Sequence, residues 1–202
     1  MSVPIYVLGG SQTDFARNWA REGLSIYDMF RETLDQALHS TGINPDQIEV
    51  GHVGNFVGDL FTGQGLIGGF FAEAHSELSS IPTSRHEAAC ASGSIAILSA
   101  MRDLEGGHYD LACVLGLEYM RNVDGQTGAE HLGAATWKGV EATNCDFPWP
   151  FMFSQIIDEY DARHGINCDH LNEDINPPKP FEFGSGLPFR AGSSSWCYSR
   201  DK

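Results

Sequence analysis

The chain has 202 residues, a formal net charge of −15, 42% apolar residues and 11% aromatics, enough for one substantial α/β domain with or without an appendage. Lysine occurs only at Lys138, Lys179 and Lys202 and there is no basic stripe, which argues against nucleic acid as a partner. No apolar run is long enough to cross a membrane, the opening MSVPIYVLGG lacks a signal-peptide pattern, and the five cysteines are odd in number with none at metal-ligand spacing, so a reduced cytoplasmic protein without a metal or membrane is expected.

Residues 3–8, VPIYVL, predict a buried strand that gives way to a loop at Gly9-Gly10. Residues 25–41 place Ile26, Met29, Phe30, Leu34, Ala37 and Leu38 on one helical face, with Ser25 to cap the start and Gly42 beyond the end. Residues 49–56 read as a second strand, 62–74 as a helix despite their glycines, and 80–86, SIPTSRH, as a third strand. A helix follows over 92–104, packed through Ile95, Ile97, Leu98 and Met101 and closed by Gly106-Gly107, and residues 111–117, LACVLGL, form a continuous apolar strand. Alternating strands and helices imply an α/β fold, a mostly parallel sheet with helices on both faces.

Beyond Met120 the pattern weakens. A helix resumes near Pro150 through Phe153, Ile156, Ile157 and Tyr160 and stops at Gly165, and the Pro-, Gly- and Ser-rich remainder reads as coil. The expected organisation is a core over 1–120, a loop region over 121–173 and a divergent, irregular tail over 174–202.

Residues 87–101 read EAACASGSIAILSAM. Cys90 stands between a strand and a helix start, where unpaired N–H groups and a partial positive charge favour a thiolate over a thiol and can hold an oxyanion. Small neighbours Ala89, Ala91, Ser92 and Gly93 leave room for an acyl group. Spacing alone leaves Cys90 either a nucleophile or a small space-filling residue. Glu87 is expected to satisfy hydrogen bonds of the turn or of an interface, Ser92 and Ser94 to cap the helix, Glu118 to be a hydrogen-bonded residue at a strand end, and Cys113 to lie in the core. Cys145, Cys168 and Cys197 carry no assigned role. Phe147, Trp149, Phe151 and Phe153 either line an apolar ligand pocket or simply pack.

The segment ACASGSIAI, between its strand and helix, resembles the nucleophile segment of the thiolase superfamily. GLEYM, residues 116–120, resembles the Gly-x-Glu-x-Met run after the next strand; YVLGGSQTDFAR resembles the thiolase start, and VGNFVGDLFTGQG the second strand and loop of the sterol-carrier-type and archaeal-type branch. These segments stand in the family's order and cover roughly residues 3–173. The resemblance implies a thiolase-like N-terminal half, with Cys90 taking an acyl group from an acyl-CoA and its backbone N–H forming half of an oxyanion hole. It further implies acyltransferase chemistry that makes or cleaves 3-ketoacyl-CoA, coenzyme A thioesters as substrates with no bound cofactor, and a dimer or hetero-oligomer formed through residues 80–88.

Thiolases are about twice this length, and their second half carries Gly-His-Pro, Cys-x-Gly and Asn-Glu-Ala-Phe or His-Asp-Cys-Phe, none of which occurs here. The match fades around residues 172–175, so a truncated chain, a frame shifted after about Glu173 or a divergent short homologue is expected. His86 is the histidine nearest Cys90 in sequence, but it lies on the preceding strand and is not assigned as the base. The rivals are a non-catalytic thiolase-like binding or scaffold subunit and a β-ketoacyl-synthase-like condensing enzyme.

Overall fold

The computed structural model describes residues 4–165 and 192–199, the latter by its backbone. The described residues fall into two compact units, 4–122 with 192–199 and 123–165.

The first unit is built on a five-stranded sheet. Its strands are β1 (Tyr6–Gln12), β2 (Val50–Gly54), β3 (Thr83–His86), β4 (Leu111–Glu118) and β5 (Gly192–Ser199), in the order β1-β5-β4-β2-β3. Strand β2 runs parallel to both β3 and β4, while β5 runs antiparallel to β4 and to β1. Four strands therefore share one direction and β5 alone opposes them.

Helix α1 (Ile26–Thr41) begins at Ser25, whose side chain accepts the Asp28 amide, and ends at Gly42 in the left-handed conformation at φ 68°. Its buried residues include all six expected positions, and Met29, Phe30 and Leu34 are completely covered. Burying each of these side chains contributes roughly 1.5–3 kcal/mol. Period-two alternation along β4 then divides the core. Cys113, Leu115 and Leu117 pack with α1, while Ala112 and Val114 pack beneath helix α4 (Ser92–Glu105).

Several expectations change. Helix α4 faces the sheet with Ser92, Ala96, Ala100 and Leu104, whereas Ile95 and Leu98 are exposed. The reason is close approach: a Cβ on Gly54 would stand 2.7 Å from Cα of Gly93, so only small residues fit along this contact. The single helix expected over 62–74 is broken into α2 (Gly58–Thr62), a 3-10 turn at Ile67–Gly69 and α3 (Phe70–Ala74), since Gly63 stops α2 in the left-handed conformation. Gly9-Gly10 lies inside β1, where the pairing with β5 shifts register between Val7 and Gly9.

The irregular tail expected over 174–202 contains β5. Its Gly and Ser residues read locally as loop, yet its backbone pairs from Gly192 to Ser199 with β4 and from Ser194 to Ser199 with β1. Strand formation here rests on partners distant in sequence.

In the second unit, α5 (Gly125–Leu132) is capped by Asp124, which accepts the Gln126 and Thr127 amides, and α6 (Pro148–His164) ends at Gly165. The expected apolar positions Phe153, Ile156, Ile157 and Tyr160 are helical, and each is at least half exposed rather than packed. Among the described residues no helix is long and apolar enough to cross a membrane.

Candidate active site

The parallel strands β2, β3 and β4 end on the same side of the sheet, the side where α/β folds place their chemistry. Strand β3 ends at His86. Glu87 and Ala88 lead into a 3-10 turn at Ala89–Ala91, and α4 starts at Ser92. Cys90 is therefore at a helix start, and it is exposed.

The turn is internally braced. Glu87 Oε1 accepts the Ala89 amide at 2.6 Å, and Ser92 Oγ accepts the Ala88 amide at 3.0 Å while donating to the Ala89 carbonyl at 2.7 Å. Glu87 thus serves the turn, as expected. Ser92 ties the turn to the first residue of the helix, but Ala91 occupies the cap position and supplies no side-chain cap. Ala89 has φ 48°, a left-handed conformation that costs a non-glycine residue roughly 1–2 kcal/mol.

Beside the turn, Glu118 and Arg85 grip one short loop from opposite polarities. Glu118 Oε1 accepts from Asn55 Nδ2 at 2.6 Å, the Phe56 amide at 2.5 Å and the Val57 amide at 3.2 Å. Arg85 donates to the Phe56 carbonyl at 2.8 Å and to Asp59 Oδ1 at 3.0 Å. Buried Asn55 completes the loop: its Nδ2 also donates to the Leu117 carbonyl, its Oδ1 accepts the Gly58 amide, and its own amide donates to the His86 carbonyl. Burial raises the Glu118 carboxyl above its ordinary range, against the pull of the Phe56 and Val57 amides and of Arg85. Its Oε2 is buried without a hydrogen bond among the described residues, which is why desolvation wins. Asp59 moves the other way, held low by its hydrogen bond from Arg85.

Beneath α4 lies a polar group that single-residue reasoning missed. The pleat turns His86 toward α4, where its Nε2 lies 2.9 Å from His52 Nδ1 and 2.8 Å from Ser84 Oγ, and its Nδ1 lies 3.3 Å from Ser99 Oγ. His52 Nε2 lies 3.2 Å from Asp103 Oδ2, close but off the N–H direction of a good hydrogen bond. Burial lowers both histidines below the ordinary imidazole value; the neighbouring ring adds to this at His52, and Asp103 opposes it at both. The only sequence signal was a histidine inside the apolar run of β2.

Cys113 is buried in the core, as expected, and Cys145 is partly buried in the second unit. Cys168 and the side chain of Cys197 lie outside the described residues. The expected aromatic cluster is only partly assembled: Trp149 and Phe153 meet edge to face at 5.3 Å, while Phe151 and Phe153 are exposed. An open cavity of about 450 Å³ in this unit is lined instead by polar residues such as Gln126, Thr136, Lys138 and Asp146. Among the described residues no three His, Cys, Asp or Glu side chains are grouped to hold a metal ion.

Residues 5–173 match the family described as Thiolase, N-terminal domain. The chain is 30% identical over 169 residues to an acetyl-CoA acetyltransferase of Methanocaldococcus jannaschii, covering 83% of this chain and 41% of that protein. It is 34% identical over 167 residues to an acetyl-CoA acetyltransferase of Methanothermobacter thermautotrophicus, covering 83% and 42%. The chain thus spans about two fifths of the length of these curated relatives. Its fold is similar to that of an acetyl-CoA acetyltransferase from Syntrophomonas wolfei, with a TM-score of 0.65 at 13% identity, covering 98% of this chain and 65% of that one. It is also similar to human mitochondrial 3-ketoacyl-CoA thiolase in complex with CoA, with a TM-score of 0.59 at 12% identity, covering 98% and 66%. A strand–turn–helix carrying Cys90, a Gly-x-Glu-x-Met run closing β4 and a match over residues 5–173 agree: the chain belongs to the thiolase family, whose N-terminal domain it carries.

Proposed function

We propose that Cys90 is an acyl-accepting nucleophile and that the chain's chemistry is thiolase-type acyl transfer from coenzyme A thioesters. The observation that carries this reading is the exposed Cys90 on a braced turn at the start of α4, within a thiolase N-terminal domain.

In the first step the Cys90 thiolate attacks the thioester carbonyl carbon of an acyl-CoA. The oxygen becomes an oxyanion beside the Cys90 amide, since the Ala88, Ala89 and Ala91 amides already donate within the turn, and collapse expels the CoA thiolate and leaves an acyl-cysteine. Attacking and leaving thiolates are similar in basicity, so the exchange is nearly balanced. In the second step an acetyl-CoA gives up an α-proton to a base not assigned among the described residues, and the carbanion attacks the acyl-cysteine carbonyl, forms the carbon–carbon bond and releases the Cys90 thiolate; in the reverse cleavage free CoA takes the acyl group from Cys90. The Cys90 amide is assigned as half of the oxyanion hole. No general base is assigned, and groups of this kind act as a unit, so formation of the acyl-cysteine is the step this chain's own residues support.

Strand β3 supports the proposed assembly through residues 80–88, because it pairs with β2 alone among the described strands. A second reading, a subunit that binds a partner without catalysing, draws on the exposed Ile95 and Leu98 of α4. Offering acetyl-CoA and an acetylated carrier protein as competing donors tests the proposal. Transfer to Cys90 from acetyl-CoA, absent in Cys90→Ala, supports it. Transfer from the carrier alone indicates a condensing enzyme of the β-ketoacyl-synthase type, and transfer from neither, with a stable protein complex, indicates the binding subunit.

A further inference from the structure

His52 and His86 form a chain of hydrogen bonds between the strand that leads into the Cys90 turn and the helix that leaves it. Four described elements meet at the pair. Strand β2 supplies His52; β3 supplies Ser84 and His86; α4 supplies Ser99 and Asp103; β4 presents Val114 opposite His52. Among the described residues Asp103 is the carboxylate acting on both rings.

The contacts order the protons. Asp103 beside His52 Nε2 places the His52 proton there, so Nδ1 is an acceptor. His86 Nε2–H then donates to His52 Nδ1 and is shared with Ser84 Oγ. That leaves His86 Nδ1 to accept the Ser99 hydroxyl. One added proton fits wherever it sits, because the Ser99 hydroxyl can turn from donor to acceptor. A second does not. It sets two N–H groups against each other across 2.9 Å and leaves two cations facing one carboxylate.

Only Glu87, Ala88 and Ala89 separate His86 from Cys90, and Ala89 is held in a left-handed conformation. A strained turn persists only where its surroundings over-determine it. Ser99 ties α4 to β3 through His86, and Asp103 sets its carboxylate 3.2 Å from His52 of β2, about two and three turns beyond Ser92. We infer that His52 and His86 are positioning residues for Cys90: the pair clamps β3 to α4 and so holds the nucleophile turn, and double protonation releases it. This inference deepens the acyl-transfer reading and rests on it for its significance, but its test needs no coenzyme A.

The test is the reaction of the whole chain with 2,2′-dithiodipyridine, which labels thiols in acid as well as at neutrality. The rate at Cys90 is divided by the rate at Cys145, followed by peptide mass mapping, with near-UV circular dichroism reporting the folded state. In the wild type the ratio is expected to hold near neutrality and then fall by about threefold or more as pH drops toward about 4.5. His86→Gln keeps a donor for His52 Nδ1 and can turn its amide to accept, so its ratio is expected to stay flat across the same range. His52→Ala is expected to show the lowered ratio at every pH. Equal profiles for the wild type and His86→Gln would overturn the inference, as would an unchanged ratio in folded His52→Ala. Failure of acetyl-CoA to label Cys90, with the clamp behaviour intact, would strike the acyl-transfer reading instead.

Discussion

Gly54 and Gly93 meet where β2 passes under the first turn of α4, and a Cβ on Gly54 would stand 2.7 Å from the Cα of Gly93 and 2.8 Å from its nitrogen. The obstacle is backbone, which cannot rotate aside. This contact sets how deeply the nucleophile helix sits on the sheet. Gly54→Ala is therefore expected to lower unfolding free energy by about 1–3 kcal/mol, the usual cost of overpacking. It should also lower the Cys90 labelling rate, because the start of α4 must lift. Urea unfolding and peptide-mapped alkylation check the two effects separately.

The left-handed Ala89 makes opposite predictions for two substitutions. Ala89→Gly relieves a strain of roughly 1–2 kcal/mol and adds unfolded-state entropy of roughly 0.5–1 kcal/mol, so stability is expected to rise by no more than about 1.5 kcal/mol. Ala89→Val places a β-branched residue where few fit and is expected to cost at least about 1 kcal/mol. Urea midpoints for the pair, compared with wild type, give the sign directly.

Glu118 accepts two backbone amides of the loop and the Asn55 side-chain Nδ2 through a single oxygen. Glu118→Ala leaves those donors without their acceptor and is expected to cost at least about 2 kcal/mol, at about 1–3 kcal/mol per buried unsatisfied group. The pH dependence follows from its raised carboxyl. The folded chain keeps a proton that the unfolded chain releases, so this group's contribution is complete below the ordinary carboxyl value of 4.5 and is lost as pH rises through the folded value. Glu118→Gln should remove that loss, seen as a flatter plot of unfolding free energy against pH on the alkaline side of 4.5.

The histidine pair runs in the other direction. Both imidazoles are lowered, so the unfolded chain takes up protons that the folded chain refuses, and stability declines as pH falls below the ordinary imidazole value of 6.5. The decline attributable to His86 should not exceed about 1.4 kcal/mol per pH unit. His86→Gln is expected to make the acid slope shallower in urea titrations buffered on either side of that value.

Much of this was legible along the chain. The cap at Ser25, the stop at Gly42 and all six buried positions of α1 follow from local pattern, because they depend on neighbours within one turn. The Cys90 turn was legible for the same reason, being a short strand–turn–helix with small residues. What escaped depends on distant partners. Ile95 and Leu98 carry the apolar period of α4, but Gly54 dictates that alanines face the sheet. The backbone of 192–199 becomes a strand only because β1 and β4 flank it. His52 and Asp103, 51 positions apart in sequence, become neighbours only once β2 lies under α4.

The central claim is that Cys90 accepts the acyl group. The most direct measurement is to incubate the chain with acetyl-CoA labelled in the acetyl carbonyl, digest at acidic pH and map the label by peptide. The account predicts a single thioester-bound acetyl on the peptide containing Cys90, discharged by hydroxylamine and missing from Cys90→Ala. Label absent from that peptide, or spread evenly over Cys90 and Cys145, would contradict it.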